Sequence, residues 1–574
     1  MVPSQTRQPT ILARHGGKEG GSATGGYGDQ ETQHDRQAYV GQGEVYPFLA
    51  NSMQYLPDPR QCLGYARAGE MFWQVAHGNA ELQTVVCVVG PTTRVPCVLA
   101  EAGSLVVIIC SVCCFLGGLV CGGSGGQMVG VEVDGEMKTL SVVQGDLRVK
   151  DSEISSDAED DTVRVSGAVI CQGDCVFNCG LVAEKIEGSD TDLSVNGDVL
   201  ARRGVRLEEG ELTVRGNLTA DVVDLGRDLT VSGDVKCTEV NVDGSIRVGG
   251  STESELILAG RSLRLASEAR IDRIQVGRNI EFQKTLKCEW VAFGGRLVGR
   301  GRLEAEKVGY GESISVDSEV KLGQICLGGS VTVGGGVIKG PIDIGGSLRS
   351  TAPLRFGLIN GAGRVSLTGG QGQDIQIIYS ALESEGDVSF GKVDAAAIII
   401  RGNASGRDLN VRGAGSEISG HLELTGDLRS KDRVEVGETL KARSIRVDGI
   451  TQARRVEANS IEGEEIITSL GAKADQVEIT KKGRAKGPIV AGTVIVGDMA
   501  RAEDIYAQNV QLRRGSQARN IYAARIDVEA RATVRGEVKY TGSIQAEEGS
   551  MFTNKPEKVM ELPSPPPLDG KAQG

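Results

Sequence analysis

Residues 222–248 show most clearly how the chain folds, and they read Val-Val-Asp-Leu-Gly-Arg-Asp-Leu-Thr-Val-Ser-Gly-Asp-Val-Lys-Cys-Thr-Glu-Val-Asn-Val-Asp-Gly-Ser-Ile-Arg-Val. Apolar residues recur here in pairs with one residue between the two members: Val223/Leu225, Leu229/Val231, Val235/Cys237, Val240/Val242 and Ile246/Val248. A step of two residues is the period of a β-strand, whose successive side chains point to opposite faces. Each pair begins only a few positions after the one before it, so each predicted strand is very short.

The spacing returns after every third pair, which indicates a coil of about 17 residues. Val223 is separated from Val240 by one such period, and far downstream Ile505 and Ile521 are separated by nearly the same interval. A fixed period sustained over a long stretch is typical of a stacked solenoid. The sequence therefore predicts an all-β fold, a long single-stranded parallel β-helix with three short strands per coil. From Leu140 to Phe552 this makes about 24 coils and a rod about 115 Å long.

Between the apolar pairs stands a glycine followed by Asp, Asn or Ser. Six examples are Gly145-Asp146, Gly197-Asp198, Gly216-Asn217, Gly233-Asp234, Gly244-Ser245 and Gly426-Asp427. Gly, Asp and Asn are the residues that best accept a positive φ. The motif therefore predicts tight corners with left-handed backbone.

Composition and charge limit the classes of function that the protein could have. The chain of 574 residues contains 81 Gly and only 4% aromatic residues, and its formal charge is −13. A nucleic-acid partner is not expected, because such binding relies on Lys and Arg that displace counterions from phosphates. The 13 Cys follow no framework of pairs, which favours a reducing, cytoplasmic location.

Four regions follow one another along the chain. Residues 1–102 are a low-order leader, 103–127 an apolar segment with a Gly linker, 128–552 the solenoid, and 553–574 a Pro-rich flexible tail that could bind a partner. Residues 103–127 contain no charged residue, so we expect a membrane-inserted segment within 103–126. Its apolar residues are Leu105, Val106, Val107, Ile108, Ile109, Phe115, Leu116, Leu119 and Val120. The alternative is that the mature protein begins near Met128 and lacks the leader.

No catalytic, cofactor or metal site is predicted. None of the Gly-Lys pairs continues as a phosphate-binding loop, and Gly122–Gly126, although it fits Gly-x-Ser-x-Gly, is best read as a linker. Cys171, Cys175 and Cys179 are interpreted as buried core thiols, because structural zinc sites usually pair cysteines two or three residues apart. The protein is therefore not expected to be an enzyme or to need a cofactor.

The solenoid resembles the bactofilins, the polymer-forming cytoskeletal proteins of prokaryotes. The resemblance is clearest in 502–540, Ala-Glu-Asp-Ile-Tyr-Ala-Gln-Asn-Val-Gln-Leu-Arg-Arg-Gly-Ser-Gln-Ala-Arg-Asn-Ile-Tyr-Ala-Ala-Arg-Ile-Asp-Val-Glu-Ala-Arg-Ala-Thr-Val-Arg-Gly-Glu-Val-Lys-Tyr, and wherever Gly-Asp-Val precedes a short alternating strand. It implies a three-sided β-helix, end-to-end polymerisation without nucleotide, and an amino-terminal membrane-attaching segment. This chain departs from the family in having a coil region several times longer than a typical family domain.

The leading hypothesis is a scaffold that binds further copies of itself through the ends of its rod, since an uncapped solenoid end is an open row of backbone donors and acceptors. The residues predicted for this association are Ile526, Val528, Val534, Val538, Tyr540 and Ile544. Two alternatives remain open. One is a surface-displayed adhesin or envelope stalk, and the other is a β-helix enzyme, either a hexapeptide acyltransferase or one that acts on polysaccharides.

Overall fold

The structure is a computed structural model that describes residues 130–413 and 415–568, together with the backbone of three strands nearer the amino terminus. The chain divides into two compact units, 1–123 and 124–574. In the first unit, β1 (Tyr65–Arg67), β2 (Glu70–Val75) and β3 (Gln83–Cys87) form an antiparallel sheet in that order. These strands lie in the predicted leader, whose sequence has no repeating pattern from which they could be predicted.

The second unit is a parallel β-solenoid, as the sequence predicts, and none of its described residues is helical. Its first strands are β4 (Val131–Asp134), β5 (Met137–Leu140), β6 (Val142–Val143), β7 (Leu147–Lys150), β8 (Glu153–Ser156), β9 (Thr162–Val165), β10 (Ala168–Phe177), β11 (Gly180–Val195), β12 (Val199–Leu207), β13 (Leu212–Val214), β14 (Leu218–Leu225), β15 (Leu229–Val231), β16 (Val235–Val242), β17 (Ile246–Val248), β18 (Thr252–Ala259) and β19 (Ser262–Leu265).

The middle of the solenoid continues the same path without interruption. Its strands are β20 (Ala269–Val276), β21 (Asn279–Phe282), β22 (Leu286–Phe293), β23 (Arg296–Gly299), β24 (Leu303–Gly309), β25 (Ser313–Val316), β26 (Val320–Leu327), β27 (Ser330–Val333), β28 (Gly336–Ile338), β29 (Ile342–Ile344), β30 (Leu348–Ser350), β31 (Leu354–Gly361), β32 (Val365–Leu367), β33 (Gly370–Ser384) and β34 (Val388–Ile400).

The last third contains some of the longest strands, and the ladders between β41 and β42 and between β45 and β47 shift register along their length. They are β35 (Ala404–Val411), β36 (Ser416–Ile418), β37 (Leu422–Leu424), β38 (Asp427–Ser430), β39 (Val434–Val436), β40 (Thr439–Lys441), β41 (Ser444–Glu457), β42 (Ser460–Lys486), β43 (Ile489–Val496), β44 (Arg501–Leu512), β45 (Gln517–Val528), β46 (Thr533–Val534), β47 (Val538–Ala546), β48 (Met551–Phe552) and β49 (Glu557–Lys558).

The predicted coil is confirmed by the register. Val223 on β14 pairs with Val240 on β16, and Leu229 on β15 pairs with Ile246 on β17, so both ladders advance by the predicted period. All five apolar pairs quoted from 222–248 are buried, so each coil covers the apolar residues of the coil before it. From 131 to 558 the chain makes about 25 coils, which corresponds to a rod about 120 Å long.

The corner glycines are needed for a different reason from the one predicted. Of the six quoted corners only Gly145 has a positive φ. At the other five the backbone passes so close to the preceding coil that a side chain has no room. A Cβ on Gly233 would lie 2.5 Å from Oδ1 of Asn217 and 2.5 Å from the carbonyl oxygen of Gly216.

The Asp or Asn after the glycine joins successive coils by a ladder of side-chain hydrogen bonds. The amide of Asn217 donates to Oδ1 of Asp198 at 2.7 Å, and the amide of Asp234 donates to Oδ1 of Asn217 at 2.8 Å. The amide of Ser251 then donates to Oδ1 of Asp234 at 2.6 Å. Corner amides, which no strand partner would otherwise reach, are satisfied in this way.

The ends of the solenoid lie slightly outside the stretch from Leu140 to Phe552 in which the sequence pattern is clear. At the start, β4 already pairs with β7, so the first coil begins at Val131. At the end, β49 pairs with β47 beyond the predicted boundary at Phe552. The pattern is hard to read at the start because Leu147 pairs with Val169, and the coil between them is longer than the regular period.

Candidate association site at the two ends of the solenoid

The carboxy-terminal end is a row of strand edges with an incompletely covered core. Residues of β47, β48 and β49 form the last coil, and no further described strand pairs with them on the outer side. Ile544 lies in register with Ile526, and Phe552 lies in register with Val534. Both Ile544 and Phe552 face the core but are only half-buried, because no described coil covers them.

The amino-terminal end has the same character. Val131 on β4 and Leu140 on β5 pack against the core and are also half-buried. Lys138 on β5 lies in register with the buried Ile154, so its stem faces inward while its Nζ lies 3.7 Å from a carboxylate oxygen of Glu136. An inward-facing charge on an edge strand opposes pairing with another strand. This corner of the end is therefore less favourable for association than the corners with Val131 and Leu140.

Most core-facing residues elsewhere in the rod are almost completely buried, and apart from Tyr540 the partly buried ones between the ends are small: Ala458, Ala491 and Ala507. The four end residues have larger apolar side chains. The difference follows from the architecture: every internal coil is covered on both sides, and an end coil is covered on one. A second rod stacked on either end would cover the exposed apolar surface and pair the free backbone groups of the edge strands.

The residues predicted for association lie at different depths. Ile526, Val528, Val534 and Val538 are fully buried in the core. The first three are covered by the coil that follows them, so they do not form the end surface. Tyr540 and Ile544 lie in the last full coil and are half-buried. Of the predicted residues, the structure therefore places Ile544 on the end surface, and the prediction does not include Phe552, Val131 or Leu140.

The predicted membrane segment within 103–126, with all nine of its named apolar residues, lies outside the described residues. None of the described residues belongs to a helix that could span a bilayer. The Gly-x-Ser-x-Gly sequence at 122–126 also lies outside that part.

The buried thiols have the character expected of core residues. Cys171, Cys175 and Cys179 are all buried and free, which confirms their interpretation as core thiols. Burial raises the pKa of Cys179 to about 11, and it raises the pKa of Cys237 and of Cys288 to about 12. These three sulfurs are consequently protonated at neutral pH.

Other side chains that could bind a metal or react chemically are dispersed along the rod. Among the described residues, no cluster of His, Cys, Asp and Glu could hold a metal ion. His421 is the only histidine in the described part, and it lies at a corner, where its amide donates to Oδ1 of Asn403 at 2.9 Å.

Together the ladder and the continuous core define a class: a repeat protein built as one parallel β-solenoid, with no further described coil beyond either end. Comparison with protein families, with curated proteins and with solved structures finds no match for this chain.

Proposed function

We propose that the protein is a structural scaffold whose solenoids associate end to end without nucleotide, in the manner of the bactofilins. One observation carries the proposal: the core-facing residues Val131, Leu140, Ile544 and Phe552 are half-buried at the two ends. Stacking one rod on another would extend the same ladder and the same core. The contact joins two different surfaces at opposite ends of the rod, so successive copies extend in one direction and produce linear polymers rather than rings.

The proposal assigns the protein a structural role rather than a catalytic one, with a second copy of the chain as its main partner. It also places the rod in the cytoplasm, attached to a membrane where residues 103–126 insert. The dispersed positions of the chemically reactive side chains support a structural role.

The test is sedimentation velocity of the full chain over a range of concentrations, without nucleotide. We expect the wild-type protein to form species that grow with concentration. Ile544→Lys places a charge on the core-facing surface of the last coil, and we expect it to raise the dissociation constant about tenfold or more, equivalent to about 1.4 kcal/mol.

The matched control is Val298→Lys, at an exposed position on β23 in the middle of the rod. This variant should associate like the wild type, and circular dichroism should show that both variants remain folded. Equal association of the wild type and Ile544→Lys would exclude this end as the contact surface.

A further inference from the structure

The Pro-rich segment after β49 does not project away from the rod but runs back along it. The amide of Val559 donates to the carbonyl oxygen of Tyr540 at 2.9 Å, which fixes where the segment starts. Leu568, at its other end, is only 7% exposed. A Cβ on Gly471 would lie 2.6 Å from Cδ2 of Leu568 and 3.1 Å from Cγ of Pro488, so Leu568 occupies a notch beside these two residues.

The two ends of this segment lie on opposite sides of one outward column of side chains. In the register of the ladder, Lys473, Val490, Tyr506, Tyr522 and Lys539 lie one above another. Tyr540 follows this column in the chain direction, and Gly471 precedes it. The segment must therefore cross the column, because the path around the other faces of the coil is several times longer.

The length of the segment fits this crossing. From the coil of β49 back to Pro488 and Gly471 is four to five ladder steps, about 20–24 Å. The nine steps from Val559 to Leu568 span about 28 Å in a polyproline II conformation, and four of the residues are prolines: Pro563, Pro565, Pro566 and Pro567. The length of the extended segment is therefore only slightly greater than the distance that it must cross from one side of the column to the other.

Of the two outward tyrosines in this column, Tyr506 is half-buried and Tyr522 is buried. Tyr522 lies between the core-facing Ile521 and Ala523, so its ring points outward, yet it is only 9% exposed. It stacks on Tyr506 with ring centroids 4.8 Å apart, and its hydroxyl donates to Oε2 of Glu537 at 3.0 Å. Burial, together with this hydrogen bond, raises the pKa of Tyr522 to about 12.

The segment itself has two faces. Val559, Leu562, Pro566 and Leu568 are half-buried or buried, whereas Met560 between them is fully exposed. An alternation of this kind indicates that the apolar side chains contact the rod and that the others face solvent.

We propose that the groove formed by Tyr506, Tyr522 and the notch at Gly471 and Pro488 is a binding site for a proline-rich segment anchored by leucine. Its occupant is residues 559–568 of the same chain. Aromatic rings that receive an extended proline-rich strand are a recurring mode of peptide recognition, and the preformed extended conformation lowers the entropy cost of binding. This site lies on the side of the rod, and the proposal does not depend on end-to-end association.

The first test measures nitration of tyrosines by tetranitromethane, followed by mass spectrometry, in the full chain. In Leu568→Asp the segment should leave the groove, so nitration of Tyr522 should rise severalfold over the wild type. Met560→Asp changes a side chain that faces solvent and should leave Tyr522 protected. The exposed Tyr379 serves as the internal standard, with equal nitration in all three proteins. Equal nitration of Tyr522 in all three would overturn the proposal.

The second test separates the site from its occupant. A synthetic peptide of residues 557–574 should bind a chain truncated after Lys558 and should not bind the full chain, whose groove is occupied. The peptide with Asp in place of Leu568 should bind neither protein. Failure of the wild-type peptide to bind a truncated chain that circular dichroism shows to be folded would contradict the proposal, and so would equal binding to both chains. If the truncated chain does not fold, the nitration result decides alone.

Discussion

At the scale of single residues, the Gly-Asp motif allows successive coils to pack closely, and at most of its positions it does not supply a left-handed backbone conformation. The glycine permits close approach, and the Asp or Asn that follows accepts the amide of the next corner. The identity of the motif could be predicted from the sequence, but its physical role could not. Glycine is suited both to a positive φ and to a position with no room for a Cβ atom. Only the distance between neighbouring coils shows which of these two properties a corner requires.

Crowding at Gly233 can be tested with a methyl group. Gly233→Ala should reduce the free energy of the local opening of β13 to β16 by about 1–3 kcal/mol, because the added Cβ overpacks against Asn217 and Gly216. The measurement is amide hydrogen exchange, analysed peptide by peptide. Gly328→Ala is the control, since a Cβ there meets no atom within 4 Å. Equal exchange in the two variants would show that crowding is not what requires glycine.

The corner carboxylates make part of the ladder sensitive to pH. Hydrogen bonds from the amide and the hydroxyl of Ser251 lower the pKa of Asp234 below its ordinary value of 3.8. The stabilisation is therefore fully present above that value and is lost as the pH falls through the lower pKa of the folded state. Asn217 occupies the equivalent position one coil earlier and has no such dependence.

We therefore expect acid to loosen this corner in the wild type more than in Asp234→Asn, which keeps an acceptor oxygen at every pH. Hydrogen exchange of peptides that contain Ser251, compared between the two proteins, should be similar at neutral pH and should diverge in acid as Asp234 becomes protonated. A ratio that does not change with pH would contradict this account.

At the scale of the coil, the period of about 17 residues was readable because it depends on local alternation and repeats many times. The pairs from Val223 to Val248 could be assigned to the core from sequence alone. The first coils were harder to assign, because the loop between β8 and β9 lengthens the coil that separates Leu147 from Val169. Of the half-buried end residues only Ile544 was named from the sequence, since an inward side chain in the last coil follows the same pattern as one in the middle.

Because each coil contacts only its neighbours, a whole coil should be removable. Deletion of residues 234–250 removes one complete coil and joins Gly233 to Ser251, which restores the Gly-Ser corner of the native Gly250-Ser251. We expect this protein to keep the β-type circular dichroism spectrum and the protease resistance of the wild type. Deletion of residues 234–241 removes only part of a coil, displaces every later coil from its register and should create a protease-sensitive site at the junction. Equal sensitivity of the two deletions would argue against independent coils.

At the scale of the whole molecule, the two ends carry charges of the same sign. The first coil, 131–146, contains four acidic residues and one basic residue, a net charge of −3. Residues 543–558 at the other end contain three acidic and two basic residues, a net charge of −1. Apolar contact and backbone pairing favour stacking, and this charge opposes it.

Association should consequently increase when the ionic strength rises from about 0.01 M to about 0.15 M, because the Debye length falls from about 30 Å to about 8 Å. Glu136→Gln, at the first coil, should strengthen association at low salt and reduce its salt dependence. Glu255→Gln, at an exposed position on β18 several coils away from either end, should behave like the wild type. Light scattering across the salt series measures both effects, and association that weakens with added salt would contradict the apolar contact proposed here.

The central claim is that one rod continues the ladder of the next, and electron cryomicroscopy of the full chain, assembled without nucleotide, tests it most directly. We predict unbranched filaments in which the strand spacing of about 4.8 Å continues without interruption across the junction between molecules. Single rods that remain separate at high concentration, or filaments in which the rods lie side by side, would contradict the claim.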